Sequence, residues 1–266
     1  METNRPLVSV VTVTFNSEST VFDTIKSVNE QTYPAIEHVI VDGASTDGTV
    51  ALVRSHAQRL GRMVSQRDEG AYDAMNKGID LSSGELIGVL NSDDVLASPT
   101  TIATVVEAYE QNNADVVYGN ISYVAKDDPS RVRRKWRTGP YRPGAFAGGW
   151  HPPHPAFYAT AGAYDRAGRY RTDLRISADF ELMLRMLERY QLSSTYVDTT
   201  LVRMRLGGQS NRLLRNVIVG NWNCMRAFSL NGLSTPWLYP IRRALFKFEQ
   251  LRSLITSRRT PMKGND

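Results

Sequence analysis

The chain has 266 residues, of which 41% are apolar and 22% are charged, and its 32 Lys and Arg against 27 Asp and Glu give a net charge of +5. This is enough chain and enough apolar content for one large domain with a substantial core, and it excludes collagen-like, disulfide-stapled and wholly disordered proteins. The single cysteine, Cys224, has no partner for an intrachain disulfide, which fits a reducing cytoplasm. The first residues, METNRPLVSVVTVTFN, read as a strand and predict neither a secretion signal nor a membrane span.

Short apolar strands alternate with amphipathic helices in the first part of the chain. Strands are predicted at Leu7 to Thr14, Ile36 to Asp42, Arg62 to Ser65 and Glu85 to Leu90, with helices around Val21 to Val28, Thr49 to Leu60 and Ala71 to Ile79. This alternation predicts right-handed crossovers and an α/β, Rossmann-like, mostly parallel sheet flanked by helices. Ligands of such sheets bind beyond the carboxyl ends of the strands, where the loops Asp42 to Asp47 and Asn91 to Asp94 lie.

The order of elements is less regular after residue 98. We expect a helix at Pro99 to Asn112, a strand at Asp115 to Tyr118, a hairpin over 119–137, a loop over 138–155, a helix at Ala178 to Tyr190 and a strand at Ser194 to Met204. Two amphipathic helical patterns follow, one from Leu214 and one from Ile241.

Charge is unevenly distributed along the chain. Residues 1–202 hold 20 basic and 25 acidic side chains, whereas residues 203–266 hold 12 basic and 2 acidic ones. The basic tail is either a solvated face or a contact surface for an anionic partner such as lipid headgroups, phosphates or nucleic acid.

The tetrad Asn91-Ser92-Asp93-Asp94 ends a buried strand with two adjacent carboxylates. Such carboxylates repel each other unless a cation lies beside them, and Mg²⁺ or Mn²⁺ would complete its shell with phosphate oxygens and water. The alternative is a polar turn that caps the strand. In the other acidic loop we interpret Asp42 as a ligand contact and Asp47 as a helix cap. Neither the GxGxxG nor the GxxxxGK[ST] motif occurs, which argues against NAD-linked and P-loop chemistry.

Four blocks in this order resemble family 2 glycosyltransferases of the GT-A fold. They are VSVVTVTFN at 8–16, VIVDGASTDGT at 39–49, DEGAYDAMNKG at 68–78 and NSDD at 91–94. The resemblance implies that residues 1–205 form a catalytic domain, with a nucleotide-binding half at about 1–97 and an acceptor half at about 98–205. Residues 206–266 would be a basic helical extension.

The resemblance also implies roles for single residues in binding a nucleotide-sugar donor. Phe15 would lie near the base, Asp42 would face the base, and Asp94 would be the chief ligand of the divalent metal, with Asp93 on the ribose or sugar or as a second metal ligand. The donor set as a whole would be Thr14, Phe15, Asn16, Asp42, Arg67, Asp68, Lys77, Ser92 and Asp93.

Asp179 matches the position of the catalytic base of the family. A carboxylate at the start of a helix is stabilised as the anion by free N–H groups, and the same position also suits a helix cap. Glu181 is the weaker candidate for the base. In the loop GGWHPPHP, His154 and His151 would line the cleft near the diphosphate, metal or acceptor, and His151 fits a structural role equally well. Trp150 would either stack on a sugar ring or serve as a buried anchor.

Residues Gly207 to Asn211 resemble a GG-x-S segment near the diphosphate, and the QxxRW motif of processive synthases does not occur. The resemblance therefore implies a single-addition, inverting transfer from a UDP-sugar to a glycan or polyprenyl-linked acceptor. We further expect a cytoplasmic enzyme without a nucleic-acid partner. Whether it forms a homo-oligomer is left open by the sequence. The apolar stripes of the tail, flanked by arginines, would either hold the protein at the inner face of an anionic plasma membrane or pack on the domain. A sugar nucleotidyltransferase and a non-catalytic nucleotide- or carbohydrate-binding module are the alternative functions.

Overall fold

The structure, a computed structural model, describes residues 5–207 and 214–246. Over these residues the chain forms a single sheet with helices on its faces. The strands are β1 (Val8–Thr14), β2 (Ile36–Asp42), β3 (Leu60–Ser65), β4 (Leu86–Val89), β5 (Val95–Leu96), β6 (Val116–Val124), β7 (Val132–Trp136), β8 (Phe157–Thr160) and β9 (Ser194–Arg205). The helices are α1 (Val21–Asn29), α2 (Thr49–His56), α3 (Ala71–Leu81), α4 (Thr101–Asn112), α5 (Ala161–Ala167), α6 (Ala178–Leu184) and α7 (Leu214–Leu230).

The sheet combines a parallel half and a mixed half. Its order is β3-β2-β1-β4-β8-β6-β9-β5, with β7 on β6, and β3, β2, β1 and β4 are parallel to one another. From β4 onward the pairs are antiparallel except for β6 with β9. The predicted α/β fold is confirmed, and the parallel arrangement expected for it is found in the first four strands of this order.

The parallel half is built from strands that are apolar on both faces. Every residue of β1 is buried, as are six of the seven in β2, so helices must cover the sheet on both sides. Helix α1 places Val21 and Ile25 with Ile40 and Val53 in one cluster, while α3 packs on β1 and β2 and adds Ile79 to the main core. The predicted helices and strands of this half are therefore found within a few residues of their expected bounds.

Strand β8 joins the two halves, and it is not among the predicted strands. It runs antiparallel between β4 and β6. The ring of Tyr158 lies against Gly88, where a Cβ atom would come within 2.3 Å of the ring carbon Cε1, so only glycine fits at this position. Helix α5 follows at once, and its first turn is capped by the Thr160 hydroxyl, which accepts from the Ala163 N–H at 3.0 Å.

The described part of the C-terminal extension packs on the domain. Cys224 and Phe228 of α7 and Tyr239 beyond it belong to the same core as Phe180 of α6. Packing on the domain, one of the two alternatives for the tail, is thus observed for one face of this segment. Within 5–207 and 214–246 no helix is long and apolar enough to cross a membrane. The Gly208 to Asn211 part of the GG-x-S segment and the tail beyond Phe246 lie outside the described residues.

Candidate active site

The carboxyl ends of β1, β2 and β4 bring three of the predicted blocks to one edge of the sheet. Thr14 is in register with Asp42, and β4 pairs with β1 on its other side. The chain then turns at Asn16, which has a φ of +47°, and the Asn16 side-chain oxygen accepts from the Thr46 N–H at 2.9 Å. Phe15 is left 61% exposed at this edge, in a position to contact a flat ligand.

Asp42 holds its own loop rather than facing solvent. The carboxylate is fully buried and accepts hydrogen bonds from the Ser45 N–H at 3.0 Å, from the Ser65 hydroxyl at 2.6 Å and from the Ser45 hydroxyl. These hydrogen bonds fix the loop after β2, and the direct contact of Asp42 with the base stays a prediction. Asp47 accepts from the Thr49 N–H at 3.0 Å at the start of α2, as expected for a cap, and the Thr49 hydroxyl lowers its pKa.

Asp68 lies beside Phe15 across a glycine. A Cβ atom on Gly43 would come within 2.6 Å of the Asp68 carboxylate and 3.3 Å of the Phe15 ring, so these two side chains enclose bare backbone. Asp68 also accepts from the Gly70 N–H at 2.9 Å, which shapes the start of α3.

Arg67 and Lys77 belong to the same loop and helix. The Lys77 ammonium pairs with Asp73 at 2.8 Å and donates to the Arg67 carbonyl at 3.3 Å. The Arg67 side chain is exposed. The Lys77 side chain thus reaches back from α3 to the backbone of the loop that holds Arg67 and Asp68, and the roles of these three residues in donor binding stay predictions.

The two carboxylates of the NSDD turn have different environments. Asp94 is 1% exposed and accepts from the Asn91 side-chain amide at 3.1 Å and from the Arg205 N–H at 3.2 Å. Burial, with the neighbouring Asp93, raises the pKa of Asp94 to about 8. Asp93 is partly exposed, and burial raises its pKa as well. Asp93 is thus the more accessible of the two carboxylates, and the ranking of Asp94 as the chief metal ligand stays a prediction.

The carboxylates at this turn fit a divalent cation whose coordination shell is completed by the bound substrate and water. The described residues hold no group of three or more His, Cys, Asp and Glu side chains that could enclose a metal. Mg²⁺ and Mn²⁺ are commonly held by one or two carboxylates together with substrate phosphates and water, so Asp93 suffices as the protein anchor. Ser92, whose hydroxyl lies 2.9 Å from the Ser17 hydroxyl, links this turn to the loop after β1.

Asp179 lies in the first turn of α6 and is bonded to a distant part of the chain. The Tyr72 hydroxyl donates to Asp179 Oδ1 at 3.0 Å. Burial and the Asp179 carboxylate raise the pKa of Tyr72 well above its usual value, so the hydroxyl remains a donor. Ser177 precedes α6, has a φ of +71° and makes no side-chain capping bond. The capping alternative for Asp179 is thus not what the structure shows.

The segment before Asp179 is supported by α7. The Asn223 side-chain amide donates to the Ile176 carbonyl at 2.8 Å, and the Ser177 hydroxyl donates to the Gly220 carbonyl at 3.4 Å. Glu181 is buried, pairs with Arg185 at 3.0 Å and accepts from the Asn231 amide at 2.9 Å. Glu181 is therefore a structural residue and not a base.

His154 reaches the same region through Tyr170. Its Nε2 atom lies 2.6 Å from the Tyr170 hydroxyl, and the Tyr170 ring stacks on Tyr72 at 5.6 Å between centroids. Burial lowers the pKa of His154 against the opposing effect of Asp179, which favours a neutral imidazole. Tyr72 and Tyr170 had no assigned role in the sequence, although Tyr72 lies inside the DEGAYDAMNKG block.

The loop before His154 contributes packing. Trp150 is buried and its indole N–H donates to the Thr138 carbonyl at 2.7 Å, so the expectation that it stacks on a sugar is wrong and the buried-anchor alternative is right. The ring of His151 packs edge-on against Trp136 and Phe180.

Two groups of predicted residues are thus assembled, and α3 connects them. One group surrounds the strand ends with Phe15, Asp68 and Asp93, and the other consists of Asp179, His154 and their tyrosines. Asn76 of α3 accepts from the Tyr170 N–H and donates to the Tyr170 carbonyl, both at 2.9 Å, which fixes the second group on the helix that begins beside the first.

Comparisons with known proteins show the family to which the chain belongs. The sequence model of glycosyl transferase family 2 matches residues 9–165. The chain is 34% identical over 192 residues to an uncharacterized glycosyltransferase of Mycobacterium tuberculosis, a match that covers 69% of this chain and 70% of that protein. It is 28% identical over 221 residues to a PGL/p-HBAD biosynthesis glycosyltransferase of Mycobacterium bovis, covering 79% and 81% of the two chains.

Solved structures share the fold at low sequence identity. S. aureus TarS 1–349 in complex with UDP-GlcNAc is similar with a TM-score of 0.65 and 16% identity, over 89% of this chain and 69% of that chain. A mannosyltransferase of Pyrobaculum calidifontis in complex with GDP-Man and Mn²⁺ is similar with a TM-score of 0.60 and 19% identity, over 96% and 80%.

Proposed function

Since the chain belongs to glycosyl transferase family 2 and is a glycosyltransferase, we propose that it moves a sugar from a UDP-sugar to a hydroxyl of a glycan or lipid-linked acceptor, with inversion at the anomeric carbon. The observation that carries the proposal is the hydrogen bond from Tyr72 to Asp179. It brings the candidate base to the start of α3, and Asp68 of the donor block lies three residues before that helix begins at Ala71.

In the proposed reaction the acceptor oxygen attacks the anomeric carbon while the bond from that carbon to the diphosphate breaks on the opposite face. Asp179 accepts the proton of the attacking hydroxyl, and Tyr72 orients the carboxylate through the 3.0 Å hydrogen bond. The neutral His154, held by Tyr170, borders the same space as a hydrogen-bonding group for the acceptor or the diphosphate.

Donor binding is assigned to the strand-end group. Phe15 would cover the base, with Thr14 and Asn16 at its sides, and Asp68 would approach the ribose or sugar together with Arg67 and Lys77. A divalent cation held by Asp93, with Asp94 behind it, would stabilise the negative charge on the departing diphosphate. Asp42 acts through the loop that it holds together.

The names of the relatives support the acceptor class. One relative is a PGL/p-HBAD biosynthesis glycosyltransferase and another is a putative teichuronic acid biosynthesis glycosyltransferase of Bacillus subtilis, which is 36% identical over 93 residues. From these names we propose that the enzyme acts on a growing glycan or its lipid carrier. We also propose that it works in the cytoplasm.

A panel of UDP-, GDP- and dTDP-sugars tests the proposal, with release of the nucleoside diphosphate measured with and without Mn²⁺. We expect slow, Mn²⁺-dependent hydrolysis of one UDP-sugar, faster turnover when an acceptor is added, and product of inverted anomeric configuration by NMR. Formation of a sugar nucleotide from nucleoside triphosphate and sugar phosphate would instead show a nucleotidyltransferase. Tight nucleotide-sugar binding without any turnover would show a binding module.

A further inference from the structure

The most exposed apolar side chains are concentrated in the C-terminal segment. Within 5–207 and 218–246, six large apolar side chains are more than half exposed, and the first of them, Phe15, belongs to the candidate donor site. The other five lie between residues 218 and 245: Ile218 at 64%, Trp222 at 66%, Trp237 at 81%, Ile241 at 59% and Leu245 at 59%. Exposed apolar residues are usual when scattered singly, but such a concentration marks an interaction surface.

This exposure is not a sign of a poorly packed helix. Helix α7 buries Cys224, Ala227 and Phe228 in the main core, and its opposite side carries Ile218 and Trp222. The second helical stretch, 239–246, likewise buries Tyr239, while its Ile241 and Leu245 face outward. We call the outward set, Ile218, Trp222, Trp237, Ile241 and Leu245 with the exposed Arg226 and Arg242, the tail surface.

A half-open depression adjoins the tail surface at Trp222 and Arg226. It has a volume of about 200 Å³ and is also lined by Met225, Ser229 and Thr235. Its walls are mainly apolar, and the Arg226 guanidinium at its edge lies 3.7 Å from Asp173 and is about half exposed. Apolar groups can contact its walls, while the exposed part of Arg226 is open to an anion.

The charge of the surrounding segment selects the partner. Residues 203–266 hold 12 basic and 2 acidic side chains, whereas residues 1–202 have a net charge of −5. Arg226 and Arg242 are exposed on the tail surface, whereas Arg205 belongs to β9, is buried and pairs with Asp23. A second copy would bring an equally basic tail surface against the first across a two-fold axis, which electrostatic repulsion disfavours. An anionic bilayer attracts this segment by about 1 kcal/mol for each basic residue near it, and tryptophan favours the bilayer interface.

We propose that the tail surface docks on the anionic surface of a lipid bilayer, with Trp222 and Trp237 inserted at the level of the headgroups. The same helix that carries Trp222 supports the segment before Asp179 through Asn223, so docking fixes the orientation of the catalytic groups relative to the membrane. The consequence that the acceptor is lipid-linked rests on the proposed function, whereas docking itself does not.

The test is cosedimentation of the full chain with vesicles of phosphatidylcholine alone and of phosphatidylcholine mixed with phosphatidylglycerol. We expect binding to the anionic vesicles only, weakening as salt is raised. The double variant Trp222→Ser/Trp237→Ser should bind these anionic vesicles at least about tenfold more weakly than wild type. Val132→Ser, which changes an exposed apolar residue of β7 away from the tail, is the matched control and should bind like wild type.

Folding is checked by thermal melting, and Arg242→Glu provides a second variant at an exposed position where the loss of binding follows from charge alone. Equal binding of all variants to anionic vesicles, or equal binding of wild type to both kinds of vesicle, would overturn the proposal. So would a concentration-dependent dimer, seen by ultracentrifugation without vesicle binding, that the tryptophan substitutions dissociate.

Failure of docking and failure of the proposed function can be told apart. Donor hydrolysis in the absence of vesicles does not involve the tail surface, so the double variant should keep the wild-type rate. Vesicle binding without hydrolysis of any sugar nucleotide would refute the proposed function and support docking. Hydrolysis without vesicle binding would refute docking and support the proposed function.

Discussion

The candidate donor site and the candidate base are held in different ways. Asp42 and Asp94 each accept a hydrogen bond from their own loop, from Ser45 and Asn91 respectively, besides one from a more distant strand. Asp179 is bonded to Tyr72, 107 positions earlier, and the segment before it is bonded to Asn223, 47 positions after Ile176. Local turns thus supply part of the contacts at the donor edge, whereas the contacts that hold the base come from separate parts of the chain that have packed together.

Asp179→Asn should have the largest effect, because it removes the proton acceptor while an amide still fits the site. We expect transfer to fall by about 10²–10⁴-fold with nucleotide binding unchanged. Transfer rates measure the first effect, and calorimetric titration with UDP measures nucleotide binding. Glu181→Gln is the control for a neighbouring carboxylate, and its effect should appear in the melting temperature rather than in donor affinity. Wild-type turnover by the Asp179→Asn variant would remove the residue from this role.

Arg185→Met should give the next largest effect. It tests whether the part of the domain around α6, which carries the candidate base, depends on buried polar contacts. It leaves Glu181 buried without its cation and deletes the hydrogen bond to the Arg169 carbonyl at 2.6 Å. Breaking a buried ion pair on one side costs about 3–5 kcal/mol of unfolding free energy, measured by urea titration.

The matched control is Arg131→Met, which breaks another pair four residues apart, with Asp127, that is exposed to solvent. We expect no measurable change in the unfolding midpoint there, since solvent screens such pairs. Similar destabilisation by both substitutions would contradict the distinction between buried and exposed pairs.

Asp93→Asn and Asp94→Asn form the third test and address the donor edge. We expect Asp93→Asn to weaken Mn²⁺-dependent donor binding by at least about tenfold, because this carboxylate is the accessible one. Asp94→Asn should keep most of that binding, since an asparagine oxygen can still accept from the Arg205 N–H. Calorimetry with and without Mn²⁺ measures donor binding by both variants. A larger loss for Asp94→Asn than for Asp93→Asn would identify Asp94 as the chief ligand.

The parallel half and its strand-end loops were predictable from the sequence because their signals are local. A run of β-branched residues followed by a polar turn identifies both the strand and the edge where ligands bind, and β2 was predicted with its observed bounds. The role of Asp47 as a cap was predictable for the same reason, since its partner Thr49 is two residues away.

Side-chain exposure and long-range partners were not predictable in this way. Whether Asp93 or Asp94 faces solvent depends on Arg205, 111 positions after Asp94, whose N–H approaches one of them. Trp150 is buried because the loop folds back on Thr138, a contact that no periodicity indicates. Strand β8 escaped prediction since it is four residues long and follows a proline-rich stretch.

The position of β8 also bears on synthesis of the chain. It occupies the middle of the described sheet, yet it is translated after seven of the eight other strands, since only β9 follows it in the chain. Until residue 160 has left the ribosome, β4 keeps an open row of backbone donors and acceptors that invites pairing with other nascent chains. Stalled or truncated translation products that end before this point are therefore expected to aggregate, and the chain becomes safe from such pairing only when β8 closes the gap.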